Sequence, residues 1–134
     1  MVKVAFVTPE LAPLVRRTNL ATVALDLATS LKRSGCDVRI FMPRTIQADP
    51  AALTNLEVLG RLQVPDGNTK TEILLRQGQL GELKLVLFEN PRLFGERYPY
   101  GDENGPYADN WRRYALFARA VLEGELRAAH AAGI

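Results

Sequence analysis

The sequence has very few of the residues that most often carry metal, redox or disulfide chemistry. Its 134 residues include one cysteine, Cys36, and one histidine, His130. A single cysteine excludes an internal disulfide and is typical of a reducing compartment, so we expect a cytoplasmic protein. The two residues form no Cys/His pair of the kind that binds zinc, and we predict neither a metal site nor a cofactor.

The chain also lacks a strong charge of either sign and any long apolar run. Seventeen basic and fifteen acidic residues give a formal net charge of +2, which is too small an excess for a nucleic-acid partner. The apolar run at 2–7 is too short to cross a membrane. Among the arginine pairs, we expect Arg112–Arg113 in solvent on a helix, and Arg16–Arg17 either in solvent or at a ligand.

Motifs of common catalytic sites are absent as well. The sequence has no Gly-x-Ser-x-Gly nucleophile elbow, no Walker lysine and no Gly-x-Gly-x-x-Gly dinucleotide loop. Asp102, Glu103 and Asp109 fall in one segment, but nothing in the sequence pairs these carboxylates for acid and base roles. We predict no complete catalytic set in this chain.

What the chain does contain is the alternation of strands and helices typical of an α/β domain, and its length predicts one domain over residues 1–134. Residues 2–7 predict a central strand that is buried on both faces. A proline-containing loop and an amphipathic helix follow, the helix capped by Thr18 or Asn19 and closed by Gly35. Residues 37–43 predict a second strand, which completes a β-α-β unit. The expected apolar face of the helix holds Leu20, Val23, Ala24, Leu27 and Leu31.

The middle of the chain predicts a hairpin and a further buried strand. Residues 56–64 and 71–75 are expected to pair through a turn at 65–68. Residues 83–88 have the continuous apolar pattern of a strand covered on both faces.

The last part predicts an irregular loop and a long helix. Residues 99–109 contain several prolines, glycines and acidic residues, which favour a loop. From Asn110 a helix runs to about His130, with Trp111 and Phe117 on the apolar face that we expect in the core.

The loop before the first helix is the most informative segment for function. In open α/β sheets, ligands bind at the carboxyl ends of the strands. A helix that begins there directs its free N–H groups and the positive end of its dipole toward that crevice. Since this helix follows residues 16–19, RRTN, the pattern favours an anionic group such as a phosphate nearby.

Two dense blocks of the sequence resemble the ADP-glucose-dependent glycogen and starch synthases of bacteria and plants. That family has Ser-Glu-x-x-Pro after its first strand, then Lys-Thr-Gly-Gly-Leu-Ala-Asp-Val, then Gly-His-Asp-Val-Arg-Val. The matching segments here are 9–13 (PELAP), 16–23 (RRTNLATV) and 35–40 (GCDVRI). The second block comprises 88–94 (FENPRLF), 100–102 (YGD) and 107–117 (YADNWRRYALF). Both blocks keep the family's order, so the resemblance covers nearly the whole chain.

The resemblance implies a Rossmann-like α/β fold, with a mostly parallel sheet flanked by helices and a β-hairpin insertion. This would be the N-terminal half of the two-domain GT-B glycosyltransferase architecture. It also implies a relation to the transfer of glucose from ADP-glucose to an α-1,4-glucan. The implied ligands are ADP-glucose or ADP, or an α-glucan, and the implied ligand-binding residues are Arg16, Arg17, Thr18, Asn19 and Tyr100.

The chain departs from the family at the loop that meets the sugar nucleotide. Arg16 stands at the lysine position and keeps the charge with a wider, planar head. Thr18 and Asn19 stand at the two glycine positions, where threonine cannot easily adopt a positive φ, and Thr22 replaces an acidic residue. We therefore predict that this chain alone does not transfer glucose. His130 matches nothing in the family's catalytic His-containing segment and is expected at the surface near the end of the helix.

Three functions remain open from the sequence. The chain is either a degenerate synthase half, or one half of a split or truncated synthase completed by a separate C-terminal domain. The third is a non-enzymatic module that binds a glucan, a protein or its own copy as a homo-oligomer. Some single residues also have two interpretations. Glu10 and Tyr100 either face the cleft or order local structure. Tyr107, Asp109 and Asn110 could contact a glucan, but Asp109 or Asn110 could instead cap the last helix.

Overall fold

A computed structural model describes residues 1–131, with side chains to Glu125. Its main element is a five-stranded sheet flanked by two helices. The strands are β1 (Lys3–Val7), β2 (Asp37–Pro43), β3 (Thr54–Asp66), β4 (Thr69–Leu80) and β5 (Leu83–Glu89). The helices are α1 (Leu20–Arg33) and α2 (Asn110–Ala131). Two further short strands, β6 (Gly101–Asp102) and β7 (Gly105–Pro106), form a separate two-stranded ribbon.

The sheet is parallel on one side and antiparallel on the other. Its spatial order is β1-β2-β5-β4-β3, in which β1, β2 and β5 run parallel and the long hairpin β3–β4 is added to β5 in antiparallel pairing. The predicted α/β class, the β-α-β unit and the hairpin are confirmed. Gly35 has a φ of +97° and ends α1 as expected.

The hairpin strands are longer than their sequence pattern indicates. β3 extends the predicted 56–64 by two residues at each end, and β4 extends the predicted 71–75 to Leu80. Pairing with β5 holds the end of β4, and two register shifts near Thr54 and Val58 mark the exposed start of β3.

The prediction that the first strand is central was wrong within the described residues, because β1 lies at an edge and pairs only with β2. Val4 and Phe6 pack toward α1, whereas Ala5 and Val7 are exposed. The N–H of Asp37 donates to the carbonyl of Val2. Because every second residue of a parallel strand bonds the same neighbouring strand, the even-numbered residues of β1 bond β2. The backbone groups of odd-numbered residues, such as Ala5, therefore face the open edge.

The predicted apolar face of α1 is only partly the buried one. Three alanines, at 21, 24 and 28, face the sheet, where their small side chains let the helix approach closely. Leu20, Val23 and Leu27 form a second apolar stripe on the flank of α1 and are 41%, 57% and 50% exposed. The three-and-four spacing fits both stripes, so spacing alone did not identify the inner one.

The same ambiguity makes one prediction for α2 wrong. Phe117 is buried as expected, together with Leu116 and Ala120, but Trp111 lies on the opposite face and is 76% exposed. Because α2 carries apolar residues on both faces, its sequence pattern did not fix which face meets the sheet.

Two cores lie on opposite faces of the sheet. β5 contributes to both, since Leu85 and Leu87 join the core under α1, whereas Val86 and Phe88 join the core under α2. Neither helix in the described part of the chain is long and apolar enough to span a bilayer.

Candidate functional site

The loop between β1 and α1 lies at the carboxyl end of β1, where a ligand crevice is expected. The loop is tightly folded: Leu11 and Val15 exchange backbone hydrogen bonds, and both are fully buried. The N–H of Thr8 donates to the carbonyl of Phe41 and ties the start of the loop to β2.

A buried carboxylate, that of Glu10, organises this loop. Its Oε1 accepts the N–H groups of Arg17 at 2.6 Å and Thr18 at 2.7 Å. Its Oε2 accepts the hydroxyls of Thr18 at 2.7 Å and Tyr100 at 2.5 Å. Glu10 is 0% exposed. The N–H groups of Arg17 and Thr18 are therefore occupied by a carboxylate of the chain itself.

These contacts fix the ionisation of both partners at neutral pH. Burial raises the pKa of Glu10, but hydrogen bonds from Tyr100, Thr18 and the Arg17 amide outweigh it, so the pKa lies below its usual value. Burial and the hydrogen bond to Glu10 raise the pKa of Tyr100. Glu10 is thus a carboxylate, and Tyr100 remains a neutral donor to it.

The two arginines of the loop lie on its exposed side. A guanidinium N–H of Arg16 donates to the hydroxyl of Thr22 at 2.9 Å, and its backbone N–H donates to Oε1 of Gln47. The guanidinium of Arg17 stacks over the ring of Tyr98 at 4.8 Å. Both side chains are exposed and lie beside the N–H groups that Glu10 occupies.

Thr18 and Asn19 do not reproduce a glycine-like backbone. Asn19 has φ −65° and ψ −17° and makes no side-chain cap, and neither residue is among the described positions with positive φ. The hydroxyl of Thr18 instead accepts the N–H of Leu20 at 3.2 Å. Of the two caps expected from the sequence, Thr18 is the one whose side chain bonds the first turn.

The expectation that Arg113 is a solvated surface residue was wrong, since it is 0% exposed. Its guanidinium donates to the carbonyls of Leu93, Pro99 and Tyr98, and to Oδ1 of Asn110. It can be buried because these acceptors replace water and because aromatic rings lie beside it. Burial lowers its pKa from the usual value. Arg113 thereby fixes the backbone just before Tyr100.

The remaining candidate residues lie in the segment that leads into α2, and their side chains make hydrogen bonds and an ion pair within that segment. The carboxylate of Asp109 pairs with the guanidinium of Arg97. The side chain of Asn110 donates to the carbonyl of Tyr100 at 2.8 Å, and the hydroxyl of Tyr107 accepts the N–H of Tyr98. These side chains order the loop rather than point freely into a crevice.

Of the predicted site residues, the structure brings Arg17, Thr18 and Tyr100 together around Glu10, with Arg16 and Asn19 beside them. Of the two interpretations of Glu10, the structure confirms the one in which it orders local structure, because its carboxylate accepts the N–H groups of Arg17 and Thr18. The anchoring role of Arg113 was missed. A signal for Glu10 was available, since this acidic residue precedes a Leu-Ala-Pro-Leu-Val run that must be largely buried. No comparable signal separated Arg113 from Arg112.

The described carboxylates do not form an acid and base pair. Oδ1 of Asp102 accepts the N–H of Asn104, and Asp109 is held by Arg97. Among the side chains described, those of residues 1–125, no cluster of three or more histidine, cysteine or acidic residues could hold a metal ion. The side chain of His130 lies outside the described side chains. What this site can offer a ligand is the pair of guanidinium groups of Arg16 and Arg17.

The sequence is similar to a known protein family and to several glycogen synthases. A family model described as the starch synthase catalytic domain matches residues 3–129. The chain is 37% identical over 121 residues to glycogen synthase 2 of Geobacter sulfurreducens, covering 90% of this chain and 25% of that protein. It is 36% identical over 129 residues to the glycogen synthase of Myxococcus xanthus, covering 92% and 26%. The chain thus spans about a quarter of the length of these relatives.

A solved structure has the same fold. It is the catalytic domain of starch synthase IV from Arabidopsis thaliana bound to ADP and acarbose, with a TM-score of 0.80 and 22% identity. The match covers 96% of this chain and 26% of that one.

Proposed function

Because this chain belongs to the starch synthase catalytic domain family, we propose that it forms the N-terminal part of a glycogen or starch synthase fold that does not transfer glucose by itself. The match over residues 3–129 and the fold agreement support the first half of this proposal. The observation that carries the second half is the backbone at Thr18 and Asn19, the two glycine positions of the family, which has no positive φ.

The ligand proposal follows from the contacts of the loop at residues 16–19. In the family that the sequence resembles, this loop binds an anionic sugar nucleotide, ADP-glucose or ADP. Here Glu10 already satisfies the amides and adds a negative charge behind them. An added phosphate would meet the guanidinium groups of Arg16 and Arg17 without the N–H groups of Arg17 and Thr18, and it would be repelled by Glu10. We therefore propose weak and solvent-screened binding of ADP, with Arg16 as its main contact.

A calorimetric titration with ADP tests the ligand proposal. We expect a dissociation constant no tighter than about 1 mM, and loss of detectable binding in Arg16→Ala. Arg33→Ala is the matched control, because this exposed arginine lies at the far end of α1. Micromolar binding, or binding that survives Arg16→Ala, contradicts the proposal.

A second function, one half of a synthase completed by another polypeptide, is favoured by the open edge of the sheet. Within residues 1–131, no strand pairs with the outer side of β1, and α1 carries a second apolar stripe of Leu20, Val23 and Leu27. A further parallel strand and a helix would cover both surfaces. We propose a cytoplasmic location for either function, in keeping with the single reduced cysteine.

One assay separates the two functions. The purified chain is incubated with radiolabelled ADP-glucose and glycogen, alone and with a separately expressed C-terminal part of a glycogen synthase relative. Alone, we expect no incorporation above a protein-free blank, and turnover by the lone chain contradicts the first proposal. Incorporation only in the mixture supports the second.

Ala5→Pro tests how such a mixture would assemble. The N–H of Ala5 faces the open edge, so proline removes a donor from that edge and leaves the bonds to β2 intact. We expect this variant to stay folded and to lose any complementation. The control, Ala51→Pro, lies outside the sheet, in the turn Pro50–Ala52.

A further inference from the structure

The outer face of α2 carries an apolar stripe that nothing in the described chain covers. The stripe consists of Trp111, Ala115, Ala118 and Leu122, and its two large residues are 76% and 60% exposed. Together with the hairpin tip at 65–67 it borders an open groove of about 500 Å³. The stripe is separate from the arginine loop and from the open edge of β1.

A helix face in contact with water is normally polar, so this stripe indicates a contact surface. The charges at its border are already paired within the chain: Arg112 with Asp66 at 2.6 Å, and Arg119 with Glu123 at 3.8 Å. An occupant therefore meets an apolar centre with a neutral rim, and not a charged surface that would select an acidic or basic partner.

We propose that the occupant is a second copy of this chain, bound through an antiparallel pair of α2 helices. A two-fold interface must be complementary to itself. The stripe meets this condition. Its residues are spaced by four, three and four positions, and its side chains are large, small, small and large. Both patterns are the same in either direction along the helix. A two-fold axis between Ala115 and Ala118 would set Trp111 of each copy against Leu122 of the other.

The small central residues and the charges agree with this pairing. Ala115 and Ala118 at the centre let the two helices approach closely. The same axis brings Glu123 of one copy within about one turn of Arg112 of the other, which adds an opposite-charge contact on each side. Each copy contributes two arginines and two carboxylates to the rim, so it carries no net charge.

The size of the stripe predicts a weak dimer. Residues 111–122 span about 16 Å of helix, which is a short contact for a specific interface. We expect association in the micromolar range, visible as a concentration dependence.

Trp111 is the single tryptophan of the chain, so its fluorescence reports on this surface directly. In sedimentation velocity and fluorescence over a concentration series, we expect the dimer fraction to rise together with a shift of tryptophan emission to shorter wavelength. Leu122→Asp should raise the dimer dissociation constant more than about tenfold. Leu27→Asp on α1 is the matched control, since Leu27 is also a half-exposed helical leucine, and it should leave the dimer unchanged.

Cysteine cross-linking tests the orientation. In a Cys36→Ser background, a chain with Ala115→Cys is mixed with a chain carrying Ala118→Cys. Mild oxidation should give a mixed disulfide dimer in high yield, and a pair of chains each with Val23→Cys should not.

The outcomes are distinct. A concentration-dependent dimer that Leu122→Asp abolishes, with the mixed disulfide, supports the proposal. A monomer at every concentration overturns it, and so does a dimer insensitive to Leu122→Asp. A monomer whose Trp111 emission changes on adding maltohexaose also overturns it, because the stripe would then be a glucan surface.

Discussion

At the scale of single residues, two buried charges determine how the loops around the site are held. Glu10 and Arg113 are both fully buried, and each is surrounded by hydrogen-bond partners. Together they join the loop before α1 to the loop before α2 through Tyr100, which follows the carbonyls that Arg113 holds and donates to Glu10. The sequence predicted the residues of this loop and left two interpretations of Glu10 open, of which the structure supports the one that orders the loop.

The Glu10 network predicts an acid-sensitive contribution to stability. Because the pKa of Glu10 is lower in the folded chain than its ordinary value of 4.5, its contribution is fully present above that value. It is lost as the pH falls through the lower, folded-state pKa. In urea unfolding from pH 7 to pH 3, the free energy of unfolding of the native chain should fall more steeply than that of Glu10→Gln.

At pH 7 the same variant should be less stable by about 1–3 kcal/mol, since buried donors lose a charged acceptor. Glu57→Gln is the control, because Glu57 is exposed on β3. Parallel pH profiles for the native chain and Glu10→Gln would contradict the role of the Glu10 carboxylate.

At the scale of elements, the sequence was most reliable for strands that are buried on both faces and least reliable for helices that carry two apolar stripes. β2 and β5 lie at the positions that their continuous apolar runs predict. In α1 and α2, by contrast, two apolar stripes share one helix, and only packing against the sheet selects the alanine stripe in one and the Phe117 stripe in the other. Adjacent arginines of α2 illustrate the same limit, because Arg113 faces inward and Arg112 outward.

This pair of arginines gives a matched test. Arg113→Met should cost about 3–5 kcal/mol of unfolding free energy, because it leaves buried carbonyls without donors and unties the segment before Tyr100. Arg112→Met should cost less than about 1 kcal/mol, since its ion pair with Asp66 is partly exposed to solvent. Thermal and urea unfolding of both variants measure the difference. Equal costs for the two would show that Arg113 is not the anchor of the loop.

At the scale of the whole molecule, β5 joins two cores into one folding unit. Neighbouring residues of β5 point to opposite faces, with Leu87 in the core under α1 and Phe88 in the core under α2. The two faces are thus not independent, because loss of order in β5 removes a wall from both.

We therefore expect a single cooperative transition that responds to either core. Leu87→Ala and Phe88→Ala should each lower the unfolding free energy by about 2–5 kcal/mol, with coincident far-UV and near-UV circular dichroism curves. Leu59→Ala on β3 is the control, because Leu59 is 48% exposed, and it should cost less than about 1 kcal/mol. Two separate transitions in either core variant would contradict the shared role of β5.

The two borders of the sheet differ in how they resist polymerisation. β3 carries register shifts, Arg61 and Pro65, which are features that discourage a further strand from adding. β1 is regular and has only Lys3 as a charged residue. Extension of the sheet through several copies would need the β1 border of one copy to pair with the β3 border of the next. The features of β3 oppose that contact, so strand addition at β1 is expected to stop after one partner.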